Sequence, residues 1–213
     1  MKNFEGVWLP DKEAHLVVWM TRSGLHKRDG FPTYQYKKYQ AALKWVKHRR
    51  LAIDIGSFVG QWSRVMAMDF GMVQAFEPVE LYRDCWVRNM EGFTNAQVTP
   101  VALGAGSGSV TMVNYTKGSF GDTSVRVNSV IGNVVGTAAM TTLDNYDFYD
   151  VDLIKIDCEG FEKNVIEGAL RTLEQKPTII IEQKKNKDAV PILKDLGAIE
   201  RDVISGDHIF SWD

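Results

Sequence analysis

From residue 51 onward, short apolar segments alternate with segments of helical periodicity, and this alternation restricts the fold more than any other feature. Five apolar segments have the length and β-branched content of buried strands: LAIDI, MVQAFEP, QVTPVAL, LIKID and TIIIE. The segments GQWSRVMAMDF and GFEKNVIEGALRTL place apolar residues at helical spacing. Because short connections join strands and helices in alternation, we expect an α/β fold with a mostly parallel, doubly wound sheet.

Two further apolar segments close the chain, AIERDV at 198–203 and DHIFSWD at 207–213. The connection between them is too short for a helical crossover. They are therefore expected to form an antiparallel hairpin at one edge of the sheet.

Residues 1–50 are expected to form an N-terminal extension that packs on a core domain of residues 51–213. Within the extension, residues 5–20 are predicted as short strands around a Pro-Asp turn, with HLVVWM as the apolar arm. Residues 34–50 combine apolar residues at helical spacing with a strongly basic set of other positions. This pattern predicts an amphipathic helix.

Residues 104–140 interrupt the alternation. They are rich in Gly, Ser, Thr and Val and lack helical periodicity, which predicts a β-rich insertion in place of a crossover helix. Two interpretations stay open at this point: a surface hairpin, or a wall or lid of the substrate site, because long loops in compact domains are often functional.

The composition is that of an ordinary globular domain, with 45% hydrophobic residues and a formal net charge of −2. This charge does not single out nucleic acid or membrane as a partner. No apolar run approaches the ~20 residues of a membrane span. Cys85 and Cys158 lie far apart without metal-ligand spacing, so free thiols in a reducing compartment are expected. We predict a cytoplasmic protein without a membrane partner.

Four of the predicted parallel strands end in a carboxylate. The acids are Asp54, Glu77, Asp157 and Glu182, and ligands of open α/β sheets bind at the carboxyl ends of the strands. Each acid alone has a structural explanation; Glu182, for example, could pair with Lys184 or Lys185. Their convergence favours a ligand site, which suits a cation better than a pyrophosphate.

The segment DIGSFVGQWS follows the first of these strands and opens a predicted helix. It contains Gly56 and Gly60 but lacks both the G-x-G-x-x-G spacing of dinucleotide sites and the lysine of a P-loop. Gly56 permits a tight turn close to a ligand. Glu77 follows it by about 20 residues, a position from which an acid accepts both ribose hydroxyls. A nucleoside with a positively charged group, such as S-adenosylmethionine, fits these features.

The chain resembles the FkbM family of class I, S-adenosylmethionine-dependent methyltransferases. The resemblance is carried by LAIDIGSFVGQWS, AFEP, NAQVTPVALG, TTLDNY, IIIEQ and above all DLIKIDCEGFEKNVIEGA. It spans roughly residues 50–183, and the block from Ile154 to Glu162 is its most specific part. The resemblance implies a Rossmann-like sheet of seven strands in the order 3-2-1-4-5-7-6, with the last strand antiparallel.

Transferred to this chain, the family motifs imply a set of cofactor-binding residues. They are Asp54, Gly56, Ser57 and Gly60 at the methionine end, Phe76, Glu77, Pro78 and Ala102 around the adenosine, and Asp157 at the reacting end. The chain departs from the family at Ser57-Phe58, where Ala-Asn is common.

The resemblance implies O-methylation of a hydroxyl on a sugar, glycan or small metabolite. Such an acceptor must lose a proton near the transition state, and the candidate bases are Asp157, Glu159 and Glu182. A divalent metal shared by Asp157 and Glu182 is a variant, but nothing in the sequence demands it and no metal ligand is predicted. Lys155 is expected to be a structural counter-ion for one of these acids. His208 could reach the same rim from the last strand.

Two other function classes stay open from the sequence. One is an NAD(P)-dependent reductase on a similar sheet, and the other is a protein that binds the cofactor without turnover. The basic helix predicted over residues 34–50 could favour an anionic acceptor, such as a sugar phosphate, or could simply be a solvated helix face.

Overall fold

The computed structural model describes residues 1–22, 26–114, 123–126, 133–183 and 188–213. In chain order the elements are β1 (Lys2–Phe4), β2 (Val7–Leu9), α1 (His15–Arg22), β3 (Lys27–Arg28), β4 (Phe31–Pro32), α2 (Tyr36–Leu43), β5 (Leu51–Ile55), α3 (Gln61–Asp69), β6 (Met72–Phe76), α4 (Glu80–Asn89), β7 (Ala96–Thr99) and β8 (Ala102–Leu103). They continue with β9 (Gly108–Asn114), β10 (Thr123–Arg126), β11 (Asn133–Thr141), a 3₁₀ turn (Leu143–Tyr146), β12 (Val151–Ile156), α5 (Glu162–Glu167), α6 (Leu170–Leu173), β13 (Thr178–Glu182), α7 (Ala189–Asp195), β14 (Ile199–Ile204) and β15 (Asp207–Ser211).

The main sheet has seven strands in the order β14-β15-β13-β12-β5-β6-β7. Strand β15 is antiparallel to both of its neighbours, whereas β12, β13, β5, β6 and β7 pair in parallel. Numbered along the chain and read from the β7 edge, this is the order 3-2-1-4-5-7-6. The predicted fold, including the antiparallel hairpin at the edge, is confirmed.

The sheet is buried on both faces, which explains why its central strands are almost entirely apolar. Ile154 and Ile179 belong to one core cluster, which includes residues of α5, α6 and α7. Leu153 and Ile180 belong to a second cluster, which includes residues of α2, α3 and α4. Successive strand residues point to opposite faces, so each central strand contributes to both cores.

The segment that interrupts the alternation forms a second sheet in the order β10-β9-β11-β8. Among its described residues it is β-structured, as predicted. The predicted strand over 97–103 is wrong as a single element, because Pro100 has no N–H to donate and the chain leaves the main sheet there. Strand β8 pairs instead with β11.

Two elements of the N-terminal extension differ from the prediction, one in its type and one in its length. The segment HLVVWM lies in helix α1, not in a strand. Leu16 and Met20, four residues apart, are its buried residues, and Glu13 Oε1 accepts a hydrogen bond from Leu16 N at 2.7 Å. The predicted helix over 34–50 is also too long, since α2 ends at Leu43.

Four of the basic side chains of residues 34–50 pair with acids of the same chain: Lys38, Lys47, Arg49 and Arg50. Lys38 Nζ lies 2.6 Å from Asp207 Oδ1, and both side chains are buried. Arg50 donates two side-chain hydrogen bonds to Asp152, next to the residue that opens β12. Arg50 therefore lies where the parallel strands begin, at the end of the sheet opposite to the predicted site.

Among the residues that the structure describes, no helix combines the length and hydropathy that a membrane crossing requires.

Candidate active site

Two adjoining cavities lie at the carboxyl ends of β5, β6, β12 and β13. The first has a volume of about 50 Å³ and extends toward β6 and the insertion. The second, of about 170 Å³, extends toward β13 and the N-terminal extension. Both are lined by Gly56, Phe58, Asp157 and Glu159, so these four residues mark the junction of the two cavities.

The loop after β5 is shaped by a close approach of two backbones. Gly56 has a φ of +73°, and a Cβ on it would lie 2.0 Å from the backbone oxygen of Asp157. The amides of Gly56 and Ser57 both donate to the carbonyl oxygen of Phe76. Only glycine satisfies both the positive φ and this contact, and the loop consequently presents its backbone to both cavities.

Glu77 lies in the first cavity, just after β6. Its two carboxylate oxygens accept hydrogen bonds from the amides of Phe58 and Val79, each at 2.9 Å. Burial raises the pKa of Glu77 to about 7, although these two amides act in the opposite direction. The carboxylate is therefore fixed in orientation, and each oxygen retains a further lone pair for a ligand hydroxyl.

The remainder of the first cavity is largely apolar. Phe76, Pro78 and Ala102 line it, as the family motifs imply, and the insertion adds Met112 and Thr123. Thr123 Oγ1 is hydrogen-bonded to the hydroxyl of another lining residue, Tyr82, at 2.7 Å. The described part of the insertion is thus a wall of the cavity, which favours the second of the two interpretations.

Asp157, Glu159 and Glu182 come together at the second cavity. Each places one carboxylate oxygen within 4.8 Å of the others, and all three line this cavity. Lys184 and Lys185, the suggested partners of Glu182, lie outside the described residues. The three residues proposed from the sequence as bases therefore share one location, with Glu182 on the side away from the first cavity.

Lys155 balances part of this negative charge from within the sheet. Its Nζ lies 3.5 Å from Asp54 Oδ1 and 3.6 Å from Asp157 Oδ2, and it donates to the carbonyl oxygen of Gly56 at 3.0 Å. Burial lowers the pKa of Lys155, but the carboxylates of Asp157 and Asp54 outweigh it and raise the pKa above its usual value. Lys155 is therefore a charged counter-ion. The sequence indicated Asp157 as a partner but not Asp54.

The other predicted cofactor residues are placed differently. Ser57 lines the second cavity. Asp54 is fully buried below the loop, where it accepts a 2.6 Å hydrogen bond from Ser63. Gly60 precedes α3 with a φ of +86°, and a Cβ on it would lie 2.8 Å from the ring of Trp86. Asp54 and Gly60 line neither cavity. They contact the loop after β5 on its buried side.

Three residues near the site have structural roles. Glu162 Oε1 accepts hydrogen bonds from the amides of Cys158 and Gly160, which fixes the turn into α5. Burial, together with Glu162, raises the pKa of the Cys158 thiol well above its usual value, so the thiol is not activated as a nucleophile. His208 pairs with Glu200 on β14 and lines neither cavity.

One wall of the second cavity was not predicted from the sequence. The wall consists of Glu13, His15, Leu16 and Tyr34 from the N-terminal extension, with Gln61 and Trp62 from α3 beside it. Burial raises the pKa of Tyr34, and the nearby acids Asp157 and Glu182 act in the same direction. The sequence signal nearest to it is the helical spacing of Leu16 and Met20, but HLVVWM is too short for that spacing to exclude a strand.

Comparisons with known proteins agree with this architecture. Residues 54–204 match the family described as "Methyltransferase FkbM domain". A search of curated proteins gives no significant match.

Among solved structures, the chain is similar to a methyltransferase FkbM from Methylobacillus flagellatus KT, with 16% identity and a TM-score of 0.52. The match covers 78% of this chain but only 44% of that protein. A precorrin-6y C5,15-methyltransferase from Geobacter metallireducens GS-15 gives 13% identity and a TM-score of 0.52 over 99% of this chain and 100% of that one. A methyltransferase from Geobacter sulfurreducens gives 12% identity and a TM-score of 0.53 over 96% and 90%. At these identities the similarity shows the fold alone.

Proposed function

The chain belongs to the FkbM methyltransferase family, and we propose that it transfers a methyl group from S-adenosylmethionine to a hydroxyl oxygen of a sugar, glycan or small metabolite. Membership of the family makes the protein a methyltransferase and displaces the reductase alternative. The observation that carries the finer proposal is the group of three carboxylates, Asp157, Glu159 and Glu182, in the second cavity, of which Asp157 and Glu159 also line the first.

The residues present fit the cofactor. S-adenosylmethionine supplies a methyl group bound to a positively charged sulfur. Phe76, Pro78 and Ala102 would contact the adenine in the first cavity, and the fixed carboxylate of Glu77 would accept the ribose hydroxyls. The space that a Cβ on Gly56 would fill brings the loop backbone close to the ligand.

The methionine end would extend past Ser57. This side chain lines the second cavity, and its Oγ is buried with no hydrogen-bond partner among the described residues. A buried hydroxyl of this kind is usually satisfied by some partner, and the charged groups of a methionine tail would provide one.

The carboxylates at the junction of the cavities have two functions in this proposal. They surround the position of a positive charge, and one of them accepts the proton of the acceptor hydroxyl, an effect worth roughly 10²–10⁴-fold in rate. Asp157 is adjacent to Lys155, whereas Glu182 lies on the acceptor side of the junction. Orientation of the acceptor by the walls of the second cavity supplies a further part of the rate, because methyl transfer needs the acceptor oxygen, methyl carbon and sulfur in line.

The acceptor is placed in the second cavity, not at the basic residues of the N-terminal extension. Lys38 is buried against Asp207, and Arg50 lies at the opposite end of the strands against Asp152. Lys38 is therefore already paired inside the protein and Arg50 is remote from the three carboxylates, so an anionic acceptor forms no part of this proposal.

The test combines binding and turnover. Calorimetry should detect binding of S-adenosylhomocysteine, and labelled S-adenosylmethionine should transfer its methyl group to neutral hydroxyl compounds in a panel of sugars and polyols. Asp157→Asn should lower turnover by roughly 10²-fold or more with little change in melting temperature. Asp84→Asn, a substitution at an exposed position of α4, is the control. Wild-type turnover in Asp157→Asn would remove Asp157 from the mechanism.

A further inference from the structure

The second cavity has one wall that lies outside the matched family region. Glu13, His15, Leu16 and Tyr34 line the cavity, and all four precede residue 54, where the family match begins. The opposite wall contains the Gly56 loop and the carboxylates. The N-terminal extension therefore encloses the space in which an acceptor must lie if the proposed function is correct.

This wall is fixed to the core. Leu16 packs in a buried cluster with Val59 and Cys85. Arg28 donates two hydrogen bonds of 2.7 Å to the two carboxylate oxygens of Asp69 at the end of α3. A wall held by apolar packing and a two-bond ion pair can orient a ligand because it is already in position.

The lining of the second cavity combines aromatic rings with hydrogen-bonding groups. Phe58, Tyr34 and Trp62 contribute rings, and Gln61 and Glu182 contribute polar atoms. Rings pack against the apolar faces of a ligand, while a few fixed polar groups orient it. The volume of about 170 Å³ compares with roughly 10–15 Å³ for a single water, so a ring-sized group fits beside a cofactor tail.

Tyr34 occupies a distinctive position in this lining. It belongs to the N-terminal wall, and Asp157 and Glu182 line the same cavity. Burial and the negative charges of these two acids raise the pKa of the Tyr34 phenol. Tyr34 lines the cavity, and burial and these acids favour its neutral phenol against the side-chain hydrogen bond with Gln35, so the hydroxyl keeps a proton that it can donate. A donor opposite two carboxylates is complementary to a sugar, whose hydroxyls both accept and donate hydrogen bonds.

We propose that the N-terminal extension forms the acceptor subsite, and that Tyr34 donates a hydrogen bond to a hydroxyl of a neutral carbohydrate ring bound there. This inference rests on the proposed function, since it assigns the acceptor side of the same site. Tyr34 is an acceptor-binding residue in this scheme, and the carboxylates remain the proton acceptors.

The test uses the full chain with S-adenosylhomocysteine bound and methyl α-D-glucopyranoside as the probe, followed by saturation-transfer NMR. Loss of one neutral hydrogen bond in Tyr34→Phe should weaken probe binding about five-fold, without changing the affinity for S-adenosylhomocysteine. Tyr36→Phe is the matched control, because Tyr36 lies in the same segment but outside the cavity and stacks on His26. His15→Trp should also weaken probe binding by narrowing the cavity, whereas Val18→Trp on the same helix, at an exposed position, should not.

The outcomes separate this inference from the proposed function. Failure of the wild-type protein to bind S-adenosylhomocysteine would overturn the proposed function itself. Normal binding of S-adenosylhomocysteine with no saturation transfer to the sugar would overturn only the inference. So would equal probe affinities of Tyr34→Phe and Tyr36→Phe, or stronger transfer to glucose 6-phosphate or glucosamine than to the neutral sugar.

Discussion

Substitution of Gly56 by alanine tests the central geometric feature of the site. The new Cβ would lie 2.0 Å from the backbone oxygen of Asp157 and 3.0 Å from its carbonyl carbon. Neither atom belongs to a side chain that can rotate away, so the loop after β5 or the end of β12 must move. That movement would disturb both cavities, because Gly56 and Asp157 line each of them.

The cost has two parts. A non-glycine residue in the left-handed region costs roughly 1–2 kcal/mol, and overpacking adds typically about 1–3 kcal/mol or more. Gly92→Ala separates these parts, because Gly92 has a φ of +92° with nothing within 4 Å of the added Cβ. In a chain of this size each kcal/mol lowers the melting temperature by roughly 2–4 °C. We therefore expect a decrease of about 2–8 °C for Gly92→Ala and about 4–20 °C for Gly56→Ala.

Differential scanning calorimetry measures both variants, and isothermal titration with S-adenosylhomocysteine measures the site. Gly92→Ala should bind as the wild type does, whereas Gly56→Ala should lose at least ten-fold in affinity, roughly 1.4 kcal/mol. Equal melting temperatures and equal affinities for the two variants would refute the argument that the contact between Gly56 and Asp157 sets the shape of the site.

Three further predictions concern charge. Burial raises the pKa of Glu77 to about 7, so the fraction of its ionised form, the stronger hydrogen-bond acceptor, increases as pH rises through 7. The affinity for S-adenosylhomocysteine should therefore rise with pH in the wild type but not in Glu77→Gln. The same pH dependence of affinity in the two proteins would contradict this. The raised pKa also means that the folded state binds more protons than the unfolded state above the ordinary carboxyl range, so Glu77 should make the free energy of unfolding fall as pH rises toward 7, as urea denaturation of both proteins would show. Lys155→Met would leave Asp54 and Asp157 without their counter-ion, which should cost about 3–5 kcal/mol in the same assay. Adding Asp54→Asn should recover part of the loss, and an unchanged unfolding midpoint in the single variant would refute the role of Lys155.

The positions of strands and helices were predicted best where the burial of a segment and its local residue pattern indicate the same element. Strand β5 was predicted at its observed bounds because LAIDI is apolar on both faces. The β14–β15 hairpin followed from the short connection. The segment HLVVWM, with five apolar residues after His15, was ambiguous, since a short apolar run fits either a strand or a buried helix. The capping contact of Glu13 with Leu16 N decides for the helix only once the structure is known.

The part of the site that the core domain forms was predictable from the sequence, whereas the wall that the N-terminal extension forms was not. Asp157, Glu159 and Glu182 follow strand ends, so sheet topology alone brings them to one edge. Tyr34 precedes the first core strand by many residues, and its place in the same cavity as Glu182 depends on how the extension folds back over the sheet. No local pattern encodes that path, which is why the acceptor-side wall appeared only in the structure.

The four acids expected from the sequence to converge at the carboxyl ends of the strands lie at separate places in the folded protein. This separation reduces the repulsion between their negative charges. Asp54 is withdrawn below the loop and paired with Lys155 and Ser63, so its charge is balanced before any ligand arrives. Glu77 is held in the first cavity by two backbone amides. Asp157, Glu159 and Glu182 come together at the second cavity, and Asp157 and Glu159 also line the first. A positive charge where the cavities join is stabilised without all four acids repelling one another at one point, and a nucleoside bound by Glu77 would hold its charged sulfur close to that position.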